Sequence, residues 1–149
     1  MEIYMKSTIF AVLMFAAVAG NAADVGVDAA FDPNAHRTGV RVEGGVDLPV
    51  VGGVDASVTR IGGDYDRFAV GKSLEFAKLG QVSFKLDGDG VYQRSDVGRS
   101  GYGLTVGSHA ELAVYKNIVA SVGIERFAGE HKLRADNGSV LLAGVSFNF

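Results

Sequence analysis

The sequence predicts an all-β fold, an eight-stranded antiparallel up-and-down transmembrane β-barrel. Three observations predict it. Apolar and polar residues alternate with period two through eight stretches after Asp24, the signature of strands with one apolar and one polar face. The connections alternate between longer polar segments and short turns, as in a meander whose two ends meet different surroundings. The chain opens on an apolar leader and ends on an aromatic residue, Phe149.

The leader comes first. Met1 to Met5 with Lys6 form a short, weakly charged start, followed by an apolar run from Ser7 to Gly20. Gly20-Asn21-Ala22 then places small residues where a signal peptidase needs them. The run is shorter than the ~20 residues of a spanning helix and no basic stop-transfer cluster follows. The expected division is therefore a cleaved signal peptide, 1–22, and one barrel domain, 23–149. All three Met residues fall inside the leader.

The strands follow in order. Val25, Val27, Ala29 and Phe31 share one face of the first, opposite Gly26, Asp28 and Ala30. Val40, Val42, Val46 and Leu48 oppose Arg41, Glu43 and Asp47 in the second. Val54, Ala56 and Val58 oppose Asp55, Ser57 and Thr59 in the third. In the fourth, Phe68, Val70, Leu74 and Phe76 oppose Arg67, Ser73 and Glu75. The fifth sets Val82, Phe84, Leu86 and Tyr92 against Ser83, Lys85, Asp87 and Asp89. The sixth turns Leu104, Val106, Leu112 and Val114 away from Thr105, His109 and Glu111. Ile118, Val122 and Ile124 oppose Ser121 and Glu125 in the seventh, and Leu141, Val145, Phe147 and Phe149 oppose Gly144, Ser146 and Asn148 in the eighth. Lys72 is the exception, since it falls on an apolar face; it either snorkels or marks a register-shifting bulge. The polar connections are expected at 32–39, 60–66, 93–101 and 127–137, the short ones at 49–53, 77–80 and 115–117.

Composition excludes several classes. With no Cys, a disulfide scaffold and any Cys-ligated metal site are impossible. A net charge of −3 argues against nucleic acid as a partner. The 21 Gly residues have no period of three, so collagen is excluded.

Alternation alone also suits a soluble periplasmic β-barrel or sandwich that binds a small ligand. The membrane reading rests on aromatics near both ends of the apolar faces. Phe31, Phe68, Tyr92 and Tyr102 lie near the longer connections, and Phe76, Phe84, Tyr115, Phe147 and Phe149 near the short ones. Interfacial aromatics form two such girdles. Gly and paired charges on the polar faces suit the narrow interior of a small barrel.

Taken together, these features resemble the small bacterial outer-membrane β-barrels of the OmpA/OmpX-like type, over the whole of the mature chain. The segment Leu141-Ala-Gly-Val-Ser-Phe-Asn-Phe149 resembles the C-terminal signal read by the barrel-assembly machinery, which assigns Phe147 and Phe149 to assembly. The resemblance implies a porin-like outer-membrane protein of a Gram-negative cell envelope, delivered through the periplasm by chaperones and inserted as a monomer. Its partners would be outer-membrane lipids and lipopolysaccharide, with four loops outside and no cofactor.

Chemistry is expected to be absent. His109 and Glu111 share one polar face and Ser121 and Glu125 the next, a grouping that a lipid-A-modifying barrel enzyme could use. The favoured reading is an interior polar network of Arg41, Glu43, Asp55, Lys85, Asp87, His109, Glu111 and Glu125, because buried charges need partners. Asp87-Gly-Asp-Gly90 lacks the downstream Glu and the helices of a calcium loop. The expected function is a structural or surface-interaction role, carried by loop charges such as Arg94, Arg99, Glu130, Lys132 and Arg134. The expectation is no enzymatic activity; the alternatives are the lipid-A-modifying enzyme and the soluble ligand binder.

Overall fold

The computed structural model describes residues 23–48, 50, 52–62, 65–95 and 98–149. The expected signal peptide, 1–22, lies outside the described residues. Eight strands form: β1 (Ala23–Asp32), β2 (Arg37–Leu48), β3 (Gly52–Ile61), β4 (Tyr65–Leu79), β5 (Val82–Ser95), β6 (Ser100–Tyr115), β7 (Ile118–Gly129) and β8 (Gly138–Asn148). Each pairs antiparallel with the next, and β1 pairs with β8, so the sheet closes on itself. Closure removes both edges, which a sheet in lipid requires. Of the alternative, a soluble β-barrel or sandwich, the sandwich architecture is corrected: among the described residues one sheet curls around a lumen, and no second sheet packs on it.

The side-chain parity follows the alternation. Odd residues of β1 and even residues of β2 to β4 face outward, so Val27, Val40, Phe68, Val70 and Leu74 are exposed. Arg67, Thr59 and Asp28 on the other parity are buried. Two bulges interrupt the ladder, between Glu75 and Ala77 of β4 and between Ala113 and Tyr115 of β6, both near the short-turn end. Lys72 precedes the first bulge, pairs with Gly88, and keeps its outward position between Val70 and Leu74. The bulge therefore does not turn it inward.

Aromatic rings collect at both rims of the outer face. Phe68, Tyr92 and Tyr102 form a row across β4, β5 and β6 at the loop end, with ring centroids 6.5 and 5.4 Å apart. Phe76 and Phe84 meet at 6.4 Å near the short-turn end.

The strands run into the segments expected as polar connections. β1 runs to Asp32, β2 begins at Arg37, β5 runs to Ser95 and β7 runs to Gly129. The physical reason is that backbone pairing satisfies N–H and C=O groups whatever the side chains are, so the ladder continues past the apolar band. The connection from β7 to β8 holds a short 3₁₀ helix, His131–Asp136. Phe127, expected in that connection, is a strand residue facing the lumen and only 1% exposed.

Candidate functional site: the barrel interior

The lumen has two halves. At the loop end it is filled by apolar side chains. Ala30, Ile61, Tyr65 and Val140 form one cluster, and Ala69, Val91, Phe127 and Leu133 another. Leu133 comes from the 3₁₀ helix and reaches the lumen because that helix is pinned. The backbone N–H of Glu130 donates to the Tyr102 carbonyl at 3.0 Å, the Glu130 carboxylate accepts from the Tyr102 N–H at 3.0 Å, and the Leu133 N–H donates to the Glu130 carbonyl at 2.8 Å. Gly129 leaves the space that Leu133 and Phe127 fill, since a Cβ there would lie 2.6 Å from Leu133 Cβ.

Arg67 crosses from this plug to the polar half. Its guanidinium lies 4.1 Å from the Phe127 ring centre and 4.8 Å from that of Tyr65, a cation held between two aromatic faces. Its Nε donates to Gln93 Oε1 at 3.0 Å, and Gln93 Nε2 donates to Asp136 Oδ2 at 2.9 Å. The 3₁₀ helix is thus tied to the lumen by a polar relay as well as by Leu133.

The short-turn half is charged. Arg41 on β2 reaches across the lumen to Glu125 on β7 at 2.8 Å and also meets Glu43 at 3.1 Å and Asp28 at 3.8 Å. Glu125 shares its other oxygen with Arg67 at 3.5 Å, so one carboxylate from β7 joins two strands on the far wall. His109 lies between Asp87 at 2.5 Å and Glu111 at 2.9 Å, and Lys85 donates to Glu111 at 2.8 Å. Ser73 Oγ donates to Asp87 at 2.5 Å and lies 3.0 Å from Asp55. Thr105 donates to Asp89 at 2.9 Å. Except for Arg67 and Thr105, these residues line a cavity of about 100 Å³.

Exposure rises toward the short turns. The side chains of Arg67 and Glu125 are 2% and 9% exposed, while those of Lys85 and Glu43 are 28% and 32% exposed. Among the described residues the lumen is filled with apolar side chains at the loop end and is more exposed toward the short turns, the side-chain filling expected of a small barrel.

The residues singled out from the sequence are distributed as follows. Arg41, Glu43 and Glu125 form one charge cluster, and Lys85, Asp87, His109 and Glu111 form another, which Ser73 links to Asp55. Of the Ser121, His109, Glu111 and Glu125 grouping, His109 and Glu111 meet while Ser121 turns to Asp28. Ser121 donates to Asp28 at 3.4 Å, and both nitrogens of His109 face carboxylates. Among the described residues, no set of three or more His, Asp or Glu side chains has the arrangement to hold a metal ion. Sequence reasoning missed Arg67 as the link between the halves, its partner Gln93, and the plug of Phe127 and Leu133. The available signal was a loss of alternation: Val140-Leu141-Leu142-Ala143 is apolar on both parities.

No family model matches the chain, and no curated protein matches it. Solved structures do. A de novo designed transmembrane β-barrel is similar with a TM-score of 0.64 and 10% identity, over 87% of this chain and 96% of that one. The outer membrane protein Ail of Yersinia pestis, solved in phospholipid bilayer nanodiscs, gives 0.59 and 14% over 87% and 99%. Neisserial surface protein A gives 0.57 and 18% over 86% and 95%. At these identities the likeness establishes the fold: a closed, eight-stranded, antiparallel up-and-down barrel.

Proposed function

We propose that this barrel is an outer-membrane protein with a structural or surface-interaction role, its loop end facing outward. The observation that carries the reading is the outer surface. An apolar band of Val27, Val40, Val70, Leu74, Leu104, Val106 and Val122, all exposed, runs between the two aromatic rims. Exposed apolar area on this scale suits lipid. The plugged loop end supports a rigid platform for short loops in place of solute passage. The interior charges support the same role, because they act in pairs that bind strand to strand across the lumen.

On this reading residues 1–22 direct secretion, periplasmic chaperones carry the unfolded chain, and Phe147 and Phe149 present the signal for barrel assembly. Phe147 on the terminal strand and Phe149 just after it are 49% and 78% exposed, where a docking partner could reach them. The barrel works as a monomer among outer-membrane lipids and lipopolysaccharide.

The test uses the absence of native cysteine. Lys132→Cys in the connection from β7 to β8 and Lys116→Cys in a short turn are expressed in whole Gram-negative cells. A membrane-impermeant maleimide is expected to label Lys132→Cys in intact cells and Lys116→Cys only after the cells are opened. The reverse pattern, or labelling of neither variant even in opened cells, contradicts the reading.

A further inference from the structure

The outer face of β5 carries a gap in the apolar band. Leu86 and Tyr92 face outward, and the two outward positions between them are Gly88 and Gly90. Both open on empty space: a Cβ at Gly88 would meet nothing within 4 Å, and at Gly90 only the Val70 carbonyl oxygen at 3.9 Å. The flanking strands keep their side chains. On β4 Val70 pairs with Gly90 and Lys72 with Gly88, and on β6 Leu104 and Val106 pair with Gly90 and Gly88. Val70, Leu104 and Val106 are 59%, 63% and 66% exposed, and Lys72 is exposed as well. The result is a short trough with bare backbone as its floor, its walls apolar except for Lys72 beside Gly88.

Directly above the trough, toward the loops, the register stacks two further rows. The aromatic row Phe68–Tyr92–Tyr102 comes first. Above it, Arg60, Asp66 and Arg94 are direct cross-strand neighbours on β3, β4 and β5. Asp66 is bonded to Arg60 at 3.3 Å, so the row as a whole carries positive charge, and Arg94 is exposed. Read along β5, one face offers a mostly apolar trough, then an aromatic girdle, then a guanidinium. That sequence matches the acyl chain, the interface and the phosphate of a lipid.

We propose that this face binds one lipid of net negative charge, carried on phosphate, from the leaflet at the loop end, with an acyl chain over Gly88 and Gly90 and the phosphate at Arg94. The assignment rests on the membrane reading given above. The trough favours a lipid over a protein segment. Its walls belong to strands two spacings apart, about 9.6 Å between backbones, which admits a hydrocarbon chain but not a helix about 10–12 Å across. A second copy fits poorly, because a two-fold contact sets trough against trough and fills neither. Arginine supplies the fork that a phosphate accepts.

The experiment is native mass spectrometry of the full barrel released from nanodiscs containing equal amounts of phosphatidylglycerol and phosphatidylcholine. The wild type is expected to retain one phosphatidylglycerol in preference to phosphatidylcholine. Arg94→Gln should lower that preference roughly tenfold, the size of a charge-assisted hydrogen bond. The double variant Gly88→Leu, Gly90→Leu fills the trough from outside, leaves the lumen untouched, and should lose retention of both lipids. Lys116→Gln, at the opposite end, should change nothing. Equal retention of the two lipids by the wild type, or an unchanged preference in both the Arg94 and the glycine variants, overturns the lipid site and leaves the membrane reading intact. A chain that does not insert into the nanodisc at all overturns both.

Discussion

The two halves of the lumen are built from the same eight strands with the same alternation, yet they solve different problems. At the short-turn end the inward positions carry Asp28, Arg41, Asp87 and His109, which pair with one another around a cavity. At the loop end they carry Ile61 and Val140 in one apolar cluster, and Val91 and Phe127, packed with Leu133, in another. The difference teaches that a narrow barrel can be filled by two chemistries. The apolar plug gains from burial, about 25 cal/mol per Å², and excludes water. The charged half must offset desolvation by pairing, and a partial opening to water lowers that cost. Arg67 stands at the boundary, with its ring contacts in one half and Glu125 in the other.

The sharpest way to break this comparison is access. Ser121→Cys, in the wall of the cavity, should react with a small thiol reagent in the folded protein. Val91→Cys, in the apolar plug and 3% exposed, should stay protected until the barrel unfolds. Equal reaction rates would mean that the lumen is not divided.

Stability measures the two halves next, with urea midpoints read on heat-modifiability gels. Glu125→Ala removes the carboxylate shared by Arg41 and Arg67 and leaves two buried cations short of a partner. Breaking a buried pair from one side costs about 3–5 kcal/mol, and this is the largest single loss expected. Phe127→Ala should cost about 3 kcal/mol, from lost packing and the lost cation–π contact. Lys85→Ala, at the open end and 28% exposed, should cost about 1 kcal/mol or less, as partly solvated pairs do. If Lys85→Ala matched Glu125→Ala, the exposure gradient would not be governing the energetics.

Much of the fold was legible because the outer face obeys one rule. Val25, Val27 and Phe31 alternate with Gly26 and Asp28 for the reason that strands do, and the parity follows with no knowledge of partners. Strand number and the closure of the sheet were legible in the same way. The contacts inside the lumen were not. Arg41 and Glu125 are 84 residues apart, and no local pattern says that β2 faces β7 across the interior. The plug was hidden for another reason. Phe127 and Ile61 lie where polar neighbours such as Arg60 and Arg126 suggest a loop, while the backbone ladder carries the strand on beneath them. The glycine excess was legible as a count and only partly as a cause. Gly144 faces inward because a Cβ would collide with the Asp28 carboxylate and the Val27 carbonyl, whereas Gly88 faces outward onto open space.

The central claim is that the apolar outer face lies in a membrane. Membrane fractionation of cells expressing the protein, followed by gel mobility with and without boiling, tests it most directly. The account predicts recovery in the membrane fraction and a band whose mobility shifts on boiling, because the closed barrel resists detergent until heated. Recovery in the soluble periplasm, with the same mobility before and after boiling, would contradict it.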